Sequence, residues 1–206
     1  MRIAIVTELF YPQVAGCERR FLEIGKRLVS RGHEVHTFTI RYEKELPEED
    51  VVDGIRVHRY AHSKNYVTAN GFRSLNGVLK YSIATVMKLF KNKFDVYYFG
   101  QWPVFHAISA KLVSSPIVQE WCEVWFDKIV IPESALKRVT NNHVAVSQFT
   151  KERLVNFLRV KPANIRMIPD GVDYHNFSRG SHNKTWGKIV YVGRIVPHKH
   201  VDMLID

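Results

Sequence analysis

The chain has 206 residues, with 30 Lys and Arg against 20 Asp and Glu, a formal net charge of +10. Hydrophobic residues make up 46% and charged residues 24%, an ordinary globular composition that excludes a largely disordered chain. No run of about 18 apolar residues occurs, so a transmembrane helix is not expected, and the length predicts one domain plus a remainder.

Residues 2–7 (RIAIVT) form a continuous β-branched run, as in a buried parallel strand. A turn with Pro12 and Gly16 follows. Residues 17–31 carry Phe21, Ile24 and Leu28 on one face and Arg19, Arg20, Glu23, Lys26, Arg27 and Arg31 on the other, the pattern of an amphipathic helix. Gly32 is placed to end it. Residues 34–40 restart a strand, completing a βαβ unit. The acidic stretch 43–53 reads as an exposed loop, 55–60 as a strand and 61–76 as irregular chain. Further on, helices are predicted over 77–92 and about 104–114, with strands at 95–99 and 116–120. A short helix near 133–139 precedes a strand at 143–146. Ser147 is a good N-cap for a helix over 148–159, supported by Thr150, and 164–168 is the next strand. This alternation predicts an α/β fold, a doubly wound Rossmann-like parallel sheet.

Residues 169–187 are polar and turn-rich and read as a linker. A strand is expected at 188–192, a turn at Gly193-Arg194 and a helix start at 200–206. One βα piece cannot bury its own apolar face. The expected organisation is therefore a domain over 1–168, a linker over 169–187, and the start of a second domain over 188–206.

Two turns could bind anions. Gly16 stands at a helix N-terminus, where unpaired N–H groups and the helix dipole favour a phosphate; it could equally shape a tight turn. Gly193, Arg194 and Lys199 lie around a strand-to-helix turn, where a guanidinium fork and a point charge suit a diphosphate. Two solvated surface cations would look the same. Glu120, Glu123 and Asp127 lie among Trp121, Trp125 and Phe126 after a strand end, which suits sugar binding or a plain aromatic cluster. Cys17 and Cys122 read as passive, reduced thiols, and His198 and His200 lack metal-site spacing, so no metal is expected. The 77–92 helix carries Leu79, Ile83, Val86 and Phe90 on one face among Lys80, Lys88 and Lys91. The expected reading is a core-facing stripe; attachment to an anionic membrane is the alternative. The basic charge favours anionic lipid or a phosphorylated substrate, not nucleic acid, since no nucleic-acid motif is present. The N-terminus lacks the features of a signal peptide, so a cytoplasmic, optionally membrane-peripheral, location is expected.

Four segments in order carry a family resemblance: YPQVAGCERRFLEIGKRLVSRGHEVHTFT, VAVSQFTKERL, IRMIPDGVD and IVYVGRIVPHKHVDMLI. Together they resemble the retaining GT-B glycosyltransferases of the glycogen-synthase and phosphatidylinositol-mannosyltransferase type. The resemblance implies an N-terminal, acceptor-side domain of a GT-B fold, joined through a hinge in 169–187 to a nucleotide-sugar-binding domain. It implies that Gly16, with Ala15 and Gly193, contacts the donor phosphates, and that Arg194 and Lys199 neutralise the diphosphate, with Glu123 a catalytic candidate. Glu120, Trp121, Cys122 and His106 are the substrate-binding candidates. The chain departs from the pattern at Ala15, where a second glycine is usual, at Trp121-Cys122, where a His is expected, and at Asp170, usually Asn. The implied activity is metal-independent transfer, with retention, from a nucleotide-diphosphate sugar to a carbohydrate or lipid-linked hydroxyl, without a further cofactor. A carbohydrate- or phosphate-binding module without turnover is the alternative. Residues 1–206 alone are expected to be inactive and to self-associate through 188–206.

Overall fold

The computed structural model describes residues 1–63, 66–67, 73–103, 105–106, 109–110, 113, 115–123, 137–178, 186–193, 195 and 199–205. The chain divides into two compact units, Met1–Asp170 and Gly171–Asp206.

The first unit is built on one sheet of eight strands: β1 (Arg2–Val6), β2 (Glu34–Ile40), β3 (Glu49–Val52), β4 (Ile55–Tyr60), β5 (Val96–Phe99), β6 (Ile117–Trp121), β7 (His143–Ala145) and β8 (Ile165–Met167). Their spatial order is β3-β4-β2-β1-β5-β6-β7-β8. Every neighbouring pair is parallel except β3 with β4. This is the doubly wound α/β sheet that the alternation predicts.

β1 is covered on both faces, which is why it reads as an unbroken apolar run. Ile5 points to one side, among Phe21, Leu22, Val35 and Val57, where α1 (Gly16–Ser30) packs. Ala4 and Val6 point to the other, among Phe38, Tyr81, Leu89 and Phe99, where α2 (Leu75–Lys91) packs. Full burial of one such large side chain contributes about 1.5–3 kcal/mol. A third cluster joins Trp121, Ala145, Leu154 and Ile165, seating α3 (Gln148–Asn156) on the far end of the sheet. Ser147 caps α3, its hydroxyl accepting from the Thr150 N–H at 3.0 Å. Gly32 has φ +80°, and its N–H reaches the Val29 carbonyl at 2.9 Å, closing α1 in a conformation costly for other residues.

Four expectations for the first unit are corrected. Residues 49–52 are an antiparallel edge strand, not loop; the acids that hide it from the sequence pattern are those that keep an edge from pairing with other chains. Within 104–114, Phe105, His106, Ser109 and Ala110 form 3₁₀ turns rather than an α-helix. The apolar stripe of α2 faces largely outward: Leu79, Ile83 and Phe90 are exposed and Val86 is half-buried, and the buried face is Val78, Tyr81, Ser82, Thr85 and Leu89. Arg20 leaves the polar face of α1, with only 8% of its side chain exposed. The 133–139 helix lies largely outside the described residues.

In the second unit, a short helix Tyr174–Ser178 stands within the stretch read as linker. Residues 188–192 form no strand, and Asp202–Leu204 is a single 3₁₀ turn.

Candidate functional site

The sheet order reverses at β1, which lies between β2 and β5. In open α/β sheets, ligands bind outside the carboxyl ends of the strands at such a switch point. Here that edge carries Glu8 after β1, Gln101 after β5, Glu120 to Glu123 at the end of β6, and the first turn of α1.

Glu8 is buried at the centre of this edge. One carboxylate oxygen accepts from the Tyr66 hydroxyl at 2.9 Å, and both accept from Arg73 Nε, at 3.1 and 3.2 Å. The Arg73 guanidinium also lies 5.3 Å from the centre of the Trp102 ring. Trp102 Nε1 in turn donates to the Glu123 carboxylate at 3.2 Å, while the Glu123 N–H donates to the Gln101 side chain at 3.2 Å. Glu123 itself is exposed. A second buried acid, Glu18, stands in the first turn of α1. Burial pushes its carboxyl up, the charge of Glu8 adds to this, and the N–H groups of Glu18 and Ala15 oppose it. Among the described residues its Oε2 has no hydrogen-bond partner.

Beside these acids the N-terminus of α1 is open. Ala15 and Gly16 are exposed, and a Cβ on Gly16 would meet nothing within 4 Å. Ala15, the N-cap, has φ −142° and ψ −175°, extended backbone that any residue adopts. Alanine in place of a second glycine therefore carries no strain at this turn.

Glu120 is fully buried at the end of β6, paired with Arg20. Burial pushes the Glu120 carboxyl up and Arg20 pulls it back. Cys122 Sγ lies 3.6 Å from the same carboxylate. The neighbouring Cys17 thiol, then burial, pushes the Cys122 thiol up from its ordinary value.

The predicted residues thus fall into three groups. Ala15, Gly16, Glu120, Cys122 and Glu123 gather at the carboxyl edge of the sheet. Trp121 and His106 sit in the core. The Trp121 indole N–H donates to His143 Nδ1 at 3.1 Å. His106 stacks on Phe99 with ring centres 5.4 Å apart, and burial brings its pKa down to about 3, so it is neutral. Gly193 and Lys199 are exposed in the second unit, whereas Arg194, Trp125, Phe126, Asp127 and His198 lie outside the described residues. Sequence reasoning missed Glu8, Glu18, Tyr66 and Arg73. The first had a signal, an acid directly continuing a buried strand run. Glu18 also had one, three residues into a helix. Tyr66 and Arg73, in irregular chain, had none.

The first unit is thus a Rossmann-like α/β sheet with acids and an open helix N-terminus at its switch point. The model of Glycosyltransferase Family 4 matches residues 14–176, and the chain belongs to that family. Over its whole length it is 22% identical to a phosphatidylinositol N-acetylglucosaminyltransferase protein of Arabidopsis thaliana, covering 48% of that protein. It is 23% identical, over 98% of its length, to the GPI3 protein of the Saccharomyces cerevisiae phosphatidylinositol N-acetylglucosaminyltransferase, again covering 48%. The chain spans about half the length of the curated relatives it matches. Among solved structures, sucrose-phosphate synthase from Thermosynechococcus elongatus superposes with a TM-score of 0.64 at 14% identity, over 84% of this chain and 49% of that one. HepE of Anabaena in complex with UDP superposes with a TM-score of 0.53 at 15% identity, over 85% and 45%.

Proposed function

We propose that this chain forms the acceptor-side half of a retaining glycosyltransferase that moves a sugar from a nucleotide-diphosphate sugar to a carbohydrate or lipid-linked hydroxyl. The observation that carries the reading is the exposed N-terminus of α1 at Gly16, set at the switch point of a Family 4 sheet. N–H groups at that turn would meet the donor phosphates, with Arg194 and Lys199 supplying positive charge from the second domain. Such preorganised donors stabilise the leaving diphosphate as the sugar gains oxocarbenium character, with no metal or further cofactor needed. Glu123, the exposed acid of the cluster, would accept from sugar or acceptor hydroxyls. The relatives' names, which carry phosphatidylinositol as the sugar acceptor, support a lipid-linked hydroxyl and hence work beside a membrane.

A second reading, a carbohydrate- or phosphate-binding module without turnover, draws on Trp121 and Cys122. The first is committed to the core and burial holds the thiol of the second above its ordinary pKa, so neither offers the imidazole of the expected His.

Transfer and donor hydrolysis measured on the full-length protein with a panel of nucleotide sugars separate the two. Arg194→Ala and Lys199→Ala should each lower kcat/KM at least about tenfold, since one donor aimed at developing charge contributes about 2.7–4 kcal/mol. Donor binding without turnover by the full-length protein would favour the binding module. Residues 1–206 alone should show no transfer.

A further inference from the structure

Arg20, Glu120, Cys17 and Cys122 join the start of α1 to the end of β6. Arg20 Nε and Glu120 Oε1 meet at 2.5 Å, both side chains buried. Cys122, two residues beyond Glu120, has its Sγ 3.6 Å from the same carboxylate oxygen. Cys17 stands one turn before Arg20, so the two side chains share a face of α1. The ion pair therefore brings Cys17 opposite Cys122, and the two thiols are neighbours. Both residues are half-buried, Cys17 against the cluster that holds Ile5 and Phe21.

We propose that Cys17 and Cys122 form a reversible disulfide, a modification site at the carboxyl edge of the sheet, with a low-molecular-weight disulfide such as oxidised glutathione as the oxidant. In the first step Cys17 Sγ attacks one sulfur of the oxidant, the oxidant's S–S bond breaks, and the departing sulfur takes up the Cys17 proton. In the second, Cys122 Sγ attacks Cys17 Sγ, the mixed disulfide breaks, and a second small thiol leaves with the Cys122 proton. The two cysteines give up two protons and two electrons, and the oxidant becomes two thiols.

The surroundings set the order of the steps. The Cys17 thiol and burial hold the Cys122 thiol above its ordinary value, which slows Cys122 as an attacker in the reduced chain. Cys17 is therefore the first to attack. The mixed disulfide consumes the Cys17 S–H and so removes the first of the two causes. Glu120, within hydrogen-bonding reach of the Cys122 thiol, can carry its proton to the leaving sulfur. Burial pushes the Glu120 carboxyl up, and its Oε2 has no hydrogen-bond partner among the described residues. The bond ties together two segments that border the candidate site, since Cys17 follows Gly16 in the first turn of α1 and Cys122 precedes Glu123. Any effect on donor phosphates at Gly16 rests on the transferase reading. The bond itself is read from the thiols alone, so the failure of one leaves the other standing.

The test exposes the folded, fully reduced 206-residue chain to oxidised glutathione, quenches with acid, then counts thiols and weighs the chain under denaturing conditions. Both thiols should be lost from a monomer that is lighter by two hydrogens and carries no glutathione, and both should return with dithiothreitol. Cys122→Ser should stop at a glutathione adduct on Cys17; a variant that takes up none overturns Cys17 as the attacking thiol. The inference as a whole is overturned if the wild type keeps both thiols, carries glutathione on both cysteines, or is linked only between chains. Should the serine variant fail to fold by circular dichroism, the wild-type mass and thiol count decide on their own.

Discussion

Arg20 Nε and Glu120 Oε1 meet at 2.5 Å, joining α1 to the end of β6 across 100 residues of chain, with 8% and 0% of the two side chains exposed. The same guanidinium donates to the Ile168 and Pro169 carbonyls at 2.9 and 3.2 Å and to the Asp170 carboxylate at 2.9 Å. One side chain therefore pins the helix beside the candidate site to a strand end and to the last residues of the first unit.

Removing Arg20 leaves Glu120 buried without its counter-charge. Arg20→Ala should cost about 3–5 kcal/mol in denaturant unfolding. Adding Glu120→Gln should recover part of that loss, since the stranded charge is then gone. If the double variant is no more stable than Arg20→Ala, the cost comes from the 168–170 contacts and not from the ion pair.

Glu18 makes stability fall with rising pH. Its pKa is raised in the fold, chiefly by burial, so its contribution is present at low pH and lost as pH rises from 4.5 through the folded value. Glu18→Gln keeps an acceptor for the Ala15 N–H and removes the charge facing Glu8. The variant should gain on the wild type as pH rises from 4.5 in paired urea titrations; a constant difference between the two would contradict the assignment.

His106 acts in the opposite sense. Its pKa falls from 6.5 to about 3 because burial penalises the imidazolium. The folded state holds it neutral, so its contribution is full above 6.5 and drains away as pH drops from there toward 3. His106→Phe has no such group to charge. The stability gap between variant and wild type should move in favour of the variant as the pH is lowered through that window.

Gly77 is where α2 approaches Tyr66. A Cβ there would come within 2.7 Å of both the Tyr66 ring and the Ser63 hydroxyl. The Tyr66 ring is buried and its hydroxyl is held on Glu8. The helix-propensity gain of Gly77→Ala is about 0.8–1 kcal/mol; overpacking costs about 1–3 kcal/mol. The variant should therefore be destabilised, and a rise in Tm would show that the ring yields freely.

In the second unit Ile189, Val190, Val192, Ile195 and Ile205 are exposed. The 206-residue chain should associate with rising concentration in sedimentation experiments, and a chain ending at Ser178 should remain monomeric. Equal masses at all concentrations would remove 186–205 as an association surface.

The sequence determined what is periodic and local. The buried run of β1, the amphipathic α1, the stop at Gly32 and the cap at Ser147 are each set within a few residues, so their chemistry shows in the order of residues alone. The same holds for the opening at Gly16, which needs only a strand, a turn and a helix start. Tertiary structure decided the rest, because it depends on partners distant in the chain. The face that α2 buries could not be read from its apolar stripe. Tyr81 and Thr85 are buried because Thr7, Phe38 and Tyr60 lie within hydrogen-bonding reach of their hydroxyls. Edge strand β3 is defined by its pairing with β4, not by apolar alternation. Glu8 and Arg73 are 65 residues apart, and Arg20 and Glu120 are 100 apart. A charged residue in a sequence reads as solvated; only a fold that brings its counter-charge within about 3 Å can remove both from water.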